Sequence, residues 1–337
     1  MKLIEYYLIQ LKQKGVLEFD RIKSVAAYTE YSNNNYLWRA VLTTNGRKKI
    51  IFIKQARAWN RRFWEERREK IFVDPRRIES EYQMINLLGR LWGNALVPKI
   101  YYFGSKQHIL ILSDVSKGKV LLVDEFTHDR IHPELGRVFG TLFGVLHAET
   151  YNKEAVFEPA PRWYKKMQDF FEGPDLLAYG VRNTFSARTV QAFFNEVHSA
   201  KKSMIWGDVV DRNIFVSRRG GNVAMVDFDH AQLYDPAVDC GMLLAHWLWM
   251  GLKTEKINMQ SKKFCRNFWQ SYKKEFQARK LDAEVVGIRK RSDRWAGLYL
   301  ISRVVRHHHL KSYFAQWPEW EQKILEKGKA LFFKTVS

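Results

Sequence analysis

A chain of 337 residues with 46% apolar residues, among them 12 Trp, 15 Tyr and 22 Phe, can bury a sizeable core in one large domain or two ordinary ones. Disordered and fibrous proteins are thereby excluded. A formal charge of +20 favours anionic partners such as nucleotides, sugar phosphates, anionic glycans, nucleic acids or acidic membrane surfaces, and opposes polycationic ones.

The N-terminal stretch MKLIEYYLIQLKQKG carries Glu5, Lys12 and Lys14 across what would be an apolar core, so it predicts an amphipathic helix and not a signal peptide. Next, IKSVAAYT, YLWRAVL and KKIIFIK alternate like strands between about residues 21 and 54. The last two are joined by Thr44-Asn45-Gly46-Arg47, where Asn-Gly signals a tight hairpin. The three form an antiparallel meander. A basic segment, ARAWNRRFWEERREK, follows, and behind Pro75 the apolar spacing of Ile78, Tyr82, Ile85 and Leu88 predicts a helix over about 76 to 90.

Another strand, HILILS, leads into Asp114, and the polar stretch SKGK marks a lobe boundary, giving a first lobe over 1–113, a hinge over 114–118 and a second lobe over 119–337. Behind Pro133, Leu135, Val138, Phe139, Leu142, Phe143 and Leu146 follow helical spacing, and helices dominate to the end apart from one hairpin near 214 to 228. The longest apolar stretch, from Cys240 to Leu252, contains His246 and is too short to span a bilayer. Cys240 and Cys265 provide neither a disulfide framework nor zinc-site spacing, which fits a reducing cytoplasm. The fold class is α+β, a small antiparallel β-rich lobe preceding a larger, mostly helical one.

Chemistry concentrates in MIWGDVVDRNIFV, residues 204 to 216, where Asp208, Asp211 and Asn213 interrupt an apolar strand entry. The strand Asn213 to Val216 turns through Arg218 to Asn222 and returns as Val223 to Asp227. A turn centred near Gly220 sets Asn213 opposite Asp227, with β-carbons roughly 5 Å apart. An amide oxygen converging with a carboxylate suits Mg²⁺, which completes its shell with water and phosphate oxygens. An Asp, four residues, an Asn, a hairpin and a second Asp is the order that kinase-type phosphoryl transfer requires. In the first lobe, Lys54 ends the apolar strand IIFIK, out of character for a strand interior, and Glu81 on the next helix is its candidate partner, with Glu79 a competitor.

These motifs resemble the aminoglycoside phosphotransferase and choline kinase superfamily, small-molecule kinases that share the protein-kinase fold. The residues that carry the resemblance are WGDVVDRN, from Trp206 to Asn213, and VDFDHAQLYDPAVDCG, from Val226 to Gly241. The resemblance implies a bilobal kinase-like fold using ATP and Mg²⁺. It assigns Asp208 as catalytic base, Asn213 and Asp227 as Mg²⁺ ligands with Asp229 assisting, and Lys54 with Glu81 as the phosphate-positioning pair. Asp239 becomes the acid that braces the catalytic loop, and His147 matches a Leu-His pair in the helix packed beneath the site. Ser113 and Val115 fall where backbone meets adenine.

Two departures stand out. Trp206 replaces the usual His of the loop, and Ser32, Asn33, Asn34 and Asn35 stand where the nucleotide loop has glycines; Asn tolerates positive φ, and its amide can donate to phosphate. Only seven residues separate Asp227 from Asp235-Pro236, leaving no room for a peptide-binding activation segment, so a small acceptor is expected. The basic segment and a late helix bearing Arg303 and Arg306 are more loosely similar to methylthioribose kinase. With Arg212, those arginines are the acceptor-binding candidates, and the basic balance between Lys54 and Arg77 favours a sugar-like or anionic acceptor over a cationic antibiotic. His307-His308-His309 do not make a metal site, because consecutive helical residues point in different directions, and Trp317 and Trp320 are expected in the core or an interface. The alternatives are a catalytically silent kinase-like protein that binds nucleotide or a partner, and a kinase of an anionic glycan or lipopolysaccharide sugar. No specific nucleic-acid signature is present; peripheral contact with an acidic surface stays open.

Overall fold

The computed structural model describes residues 2–28, 34–59, 61, 72–153, 184–218, 220–306 and 319–333. Ser32, Asn33, most of the basic segment, His307 to His309 and Trp317 lie outside the described residues. The chain divides into two compact units, one formed by residues 1–117 with 224–230 and the other by residues 118–223 with 231–337.

In the first unit, helix α1 (Lys2–Gln13) precedes strands β1 (Arg21–Ala27), β2 (Asn35–Thr44) and β3 (Arg47–Ala56). Asn45 and Gly46 both take positive φ, 48° and 72°, as a two-residue hairpin turn demands. Helix α2 (Arg77–Trp92) follows, then β4 (Ile100–Gly104) and β5 (Ile109–Ser113), and the five strands form one antiparallel sheet in the order β1-β2-β3-β5-β4. One sheet face is covered by α1: Ile4, Leu8 and Leu11 cluster with Val25, Ala40, Leu42, Ile51, Ile53, Ile109 and Ile111. The period-2 alternation in β2 and β3 is the sequence cause of that face.

The second unit starts with β6 (Val120–Leu121), α3 (Leu122–Thr127) and α4 (Leu135–Thr150), followed after residues 154–183 by α5 (Ala187–Ser199) and β7 (Ser203–Ile205). A 3-10 turn over Asp211–Asn213 leads into β8 (Ile214–Val216), which pairs with β6. The chain crosses between the units within β9 (Val223–Met225), and β10 (Gln232–Tyr234) pairs antiparallel with β7. Four helices complete it: α6 (Ala237–Met250), α7 (Glu255–Ala278), α8 (Glu284–Arg306) and α9 (Glu319–Phe332). On α4, Gly136, Gly140 and Gly144 recur every fourth residue and let α7 approach so closely that a Cβ on Gly136 or Gly140 would strike the carbonyl oxygens of Phe264 or Phe268.

One sequence expectation needs correction. The returning strand ends at Met225 instead of reaching Asp227, whose backbone is left-handed at φ 67°, and Asn213 sits in the 3-10 turn before β8. The regular cross-strand ladder therefore includes neither residue.

Candidate active site

Each unit contains one group of the singled-out residues. In the first, Lys54 lies in β3 between Leu37 of β2 and Leu110 of β5 and is buried, so its ammonium needs partners within the protein. It finds three carboxylates: Glu81 at 2.6 Å, Asp227 in a short ion pair, and Asp229 at 3.8 Å. Glu79 is not among them. Glu81 also accepts from the Phe228 backbone N–H at 3.4 Å, which ties α2 to the segment bearing both aspartates. Asp229 accepts from Asn35 Nδ2 at 3.0 Å and from Arg77 Nε at 3.4 Å.

Arg77 is buried and spends its remaining donors on the carbonyls of Arg57, Asp74 and Asn34 and on Asn35 Oδ1. One reading changes here. Asn35, placed in the nucleotide loop by the sequence, opens β2 opposite Ala56, and both of its amide atoms are engaged inside the protein. Arg77 and Arg57, both part of the basic balance between Lys54 and Arg77, are interior, with Arg57 stacked over Tyr36 at 4.2 Å.

The electrostatics follow from burial against charge. Burial alone would lower the Lys54 pKa, but Asp227, Asp229 and Glu81 outweigh it and hold it above its ordinary value. Burial pushes Glu81 up, with the charges of Asp227 and Asp229 adding to the effect and Lys54 opposing it. Burial would also raise Asp229, yet Lys54, His230 and Arg77 hold it below the usual carboxylate range. Three carboxylates against Lys54 and Arg77 leave the ionised cluster one charge negative, and one oxygen from each of Glu81, Asp227 and Asp229 lies within 4.8 Å of the others. Lys54 takes the centre of this set, so the oxygen donor it leaves for a hard divalent cation is the Asp227 carboxylate. Asp227, with its side chain about 36% exposed, is the member open to a ligand, whereas Glu81 and Asp229 are buried props.

Ser113 closes β5, where its hydroxyl accepts from the Lys99 N–H at 2.8 Å, and Val115 follows in a half-buried stretch in which Asp114 caps Ser116. Backbone groups are what this stretch offers a ligand.

In the second unit, Asn213 Nδ2 donates to Asp208 Oδ2 at 3.0 Å and to the Asp208 carbonyl at 3.2 Å, so the five-residue spacing closes a tight loop in which the amide nitrogen of Asn213 faces Asp208. Asp239, in the first turn of α6 and fully buried, accepts from Trp206 N at 2.7 Å and Gly207 N at 2.8 Å. It also faces His147 Nε2 at 3.3 Å, and Tyr272 OH meets His147 Nδ1 at 3.0 Å. His147 thus bridges the Asp239 carboxylate and the Tyr272 hydroxyl through its two ring nitrogens. Burial drives the Tyr272 hydroxyl well above its ordinary pKa, keeping it protonated. Trp206 is fully buried and stacks on Phe143 at 6.5 Å, its interplanar angle 13°.

Beside this loop lies a group the sequence did not reveal. Arg303, over the Tyr299 ring at 4.5 Å, donates to the Tyr299 hydroxyl, which in turn meets His246 Nε2 at 3.2 Å. His246 Nδ1 is 3.8 Å from Asp211 Oδ2. Burial lowers the His246 pKa to about 4, so the ring is neutral at ordinary pH, and the charges of Asp211 and Asp208 help hold Arg303 up against burial. The i, i+4 spacing of Tyr299 and Arg303 was the available signal. Arg212 is exposed, and Arg306 ends α8 with its side chain outside the described residues.

A β-rich unit with a lysine held among three carboxylates, followed by a helical unit with an Asp-x4-Asn loop, defines a phosphotransferase of the kinase-like class. The model of the phosphotransferase enzyme family matches residues 56–261, well over half of the chain, and the chain belongs to that family, the one that includes the aminoglycoside phosphotransferases and choline kinases. Among solved structures it is similar to a choline kinase from Cryptosporidium parvum Iowa II, at 12% identity over 97% of this chain and 96% of that one, with a TM-score of 0.54. A glucosamine kinase in complex with glucosamine, ADP and inorganic phosphate is similar at 13% identity over 97% of this chain and 82% of that one, TM-score 0.51. So is a choline/ethanolamine kinase family protein from Mesorhizobium loti, at 13% identity over 99% and 95%, TM-score 0.50. At such identities the likeness is one of fold. Among curated proteins none matches this sequence. No helix among the described residues is long and apolar enough to cross a membrane.

Proposed function

We propose that this phosphotransferase moves the γ-phosphoryl group of Mg·ATP to a hydroxyl of a small, sugar-like acceptor. The observation that carries the reading is Lys54, a buried ammonium held by Glu81 and Asp227, the strand-lysine and helix-glutamate pairing that a phosphate-positioning lysine uses. Its role is to draw the α and β phosphates, with Glu81 fixing its direction. Asp227 and Asn213 Oδ1 would hold Mg²⁺, with Asp229 orienting Asp227 through their shared lysine; when bound, the ion supplies charge neutralisation at the phosphate oxygens. Asp208 orients the acceptor hydroxyl and takes its proton as the new oxygen–phosphorus bond forms and the bond to the ADP oxygen breaks. Asp239 and His147 keep the loop backbone in place for that transfer. Ser32 and Asn33 remain candidates for phosphate contacts, and the backbone of Ser113 and Val115 for adenine.

For the acceptor, Asp208 and Asp211 accept hydrogen bonds, while Arg303 and Arg212, and Arg306 at the helix end, donate them. That mixed set suits a polyhydroxylated molecule, because the two carboxylates offset the arginine charge at Arg303. Two free cysteines, with Cys265 pushed by burial to about 12, suit a reducing cytoplasm. The test is ADP release across a panel of sugars, nucleosides and amino alcohols, for the native enzyme beside Asp208→Ala and Asp227→Ala. We expect turnover with at least one polyol, reduced by a factor of about 100 or more in both variants. Failure to bind or turn over Mg·ATP with every acceptor refutes the reading.

A further inference from the structure

Helix α7 has two opposite faces, and only one is explained by the fold. Phe264, Phe268, Tyr272 and Phe276 are buried, and the first three line the seam where the α4 glycines pack. The other face exposes Lys262, Lys263, Arg266, Lys273, Lys274 and, just past the helix end, Lys280. At 100° per residue these fall within an arc of about 120°, and from Lys262 to Lys274 they extend about 18 Å along the axis. No ion pair among the described residues engages any of the six; Glu275, the acid within this stretch, is taken by Arg279 at 3.1 Å. A helix kept merely solvated mixes signs, as α9 does with Lys323 3.5 Å from Glu319. From Lys262 onward the α7 face is of one sign; Glu255, in the first turn, is the acid that shares its arc.

We infer that this face of α7 docks on an anionic membrane surface. A cluster of four to eight Lys or Arg on one side of an amphipathic helix is the charge pattern such a surface attracts. Five of the six are lysines, compact point charges suited to laterally mobile head groups, whereas a nucleic-acid backbone is more often gripped by the bidentate fork of arginine. The aromatic side chains of α7 are all buried, so the face has no platform for stacking bases. Met259, 59% exposed and in the middle of the same arc, adds an apolar side chain able to enter the interface.

The experiment is sedimentation of the full chain with vesicles of phosphatidylcholine alone or mixed with phosphatidylserine, in about 0.1 M salt. The variant carries Lys263→Gln, Arg266→Gln, Lys273→Gln and Lys274→Gln. A matched control neutralises the exposed Lys23, Arg47, Lys48 and Lys106 of the first unit instead. We expect the native chain to sediment only with the acidic vesicles and to be released by high salt. Its partitioning should fall roughly 100-fold or more in the α7 variant and much less in the control, each cation being worth about a factor of five near an anionic leaflet. Circular dichroism checks that both variants are folded, so the result does not depend on whether an acceptor has been found. Equal losses in the two variants would show that only the net charge matters and overturn the assignment. So would a native chain that ignores acidic vesicles, or one that binds an RNA duplex through the α7 cations while leaving the vesicles unbound.

Discussion

Replacing Lys54 with Met keeps an unbranched apolar stem in β3 and removes one charge from a cluster that is already one negative charge in excess. Glu81 and Asp229 are buried, and removing one partner of a buried pair costs about 3–5 kcal/mol. Arg77 remains at Asp229 and Asp227 is partly solvated, so the low end, about 3 kcal/mol near pH 8, is expected. The pH dependence identifies the cause. Without Lys54, burial and the charges of Asp227 and Asp229 act on Glu81 without the lysine that opposed them, so its folded-state pKa rises further above the unfolded value, near 4.3, while Arg77 and His230 still oppose burial at Asp229. Groups raised in this way favour the fold fully below the unfolded pKa and lose that contribution as pH climbs through the folded one. The variant should therefore be nearest to the native protein at about pH 5 and weakest at about pH 8. Asp229 in the native protein has the opposite sign: its depressed pKa contributes stability that is present at neutral pH and lost only in acid. Urea unfolding of both proteins across this range measures the difference. A variant as stable as the native protein at pH 8, or one whose deficit grows toward low pH, refutes the account of the cluster.

Two further outcomes follow from the second unit. Gly140→Ala should cost about 1–3 kcal/mol, because its Cβ meets backbone that cannot move without separating α4 from α7; an unchanged melting temperature would show the helices to be farther apart than described. His147→Ala should lower kcat at least about tenfold with little change in the KM for ATP, a loss of one hydrogen bond to a buried carboxylate, and His147→Gln, which keeps a donor, should recover part of it. A change confined to KM would place His147 outside the positioning of the loop.

Local patterns made much of the fold legible. The Asn45-Gly46 turn, the alternation of β2 and β3 and the apolar spacing behind Pro133 are each written within a dozen residues, and the structure realises all three. Strand β4 escaped because IYYFG has no alternation of burial to betray it. The site divides along the same line. Lys54 and the Asp208 to Asn213 spacing stand out because they violate their surroundings. Arg77 entered the sequence reading only as part of a basic balance, because Asp229, which makes it an interior residue, lies 152 positions away. The group formed by Asp211, His246, Tyr299 and Arg303 was hidden for the same reason: its contacts span about ninety residues of chain, and no single window contains them.

The membership of residues 224–230 in the first unit has a consequence for anyone who would cut the protein apart. A fragment ending at Lys117 would retain Lys54 and Glu81 but lack Asp227 and Asp229, two of the three carboxylates that hold the lysine. The complementary fragment would carry those two aspartates just past β9, which stays paired in the β6-β8-β9 sheet, but without the lysine that they hold. Neither half can be expressed as a contiguous piece with its electrostatics intact. The route of the chain thus makes the gene indivisible at the very point where a two-unit architecture would suggest a seam.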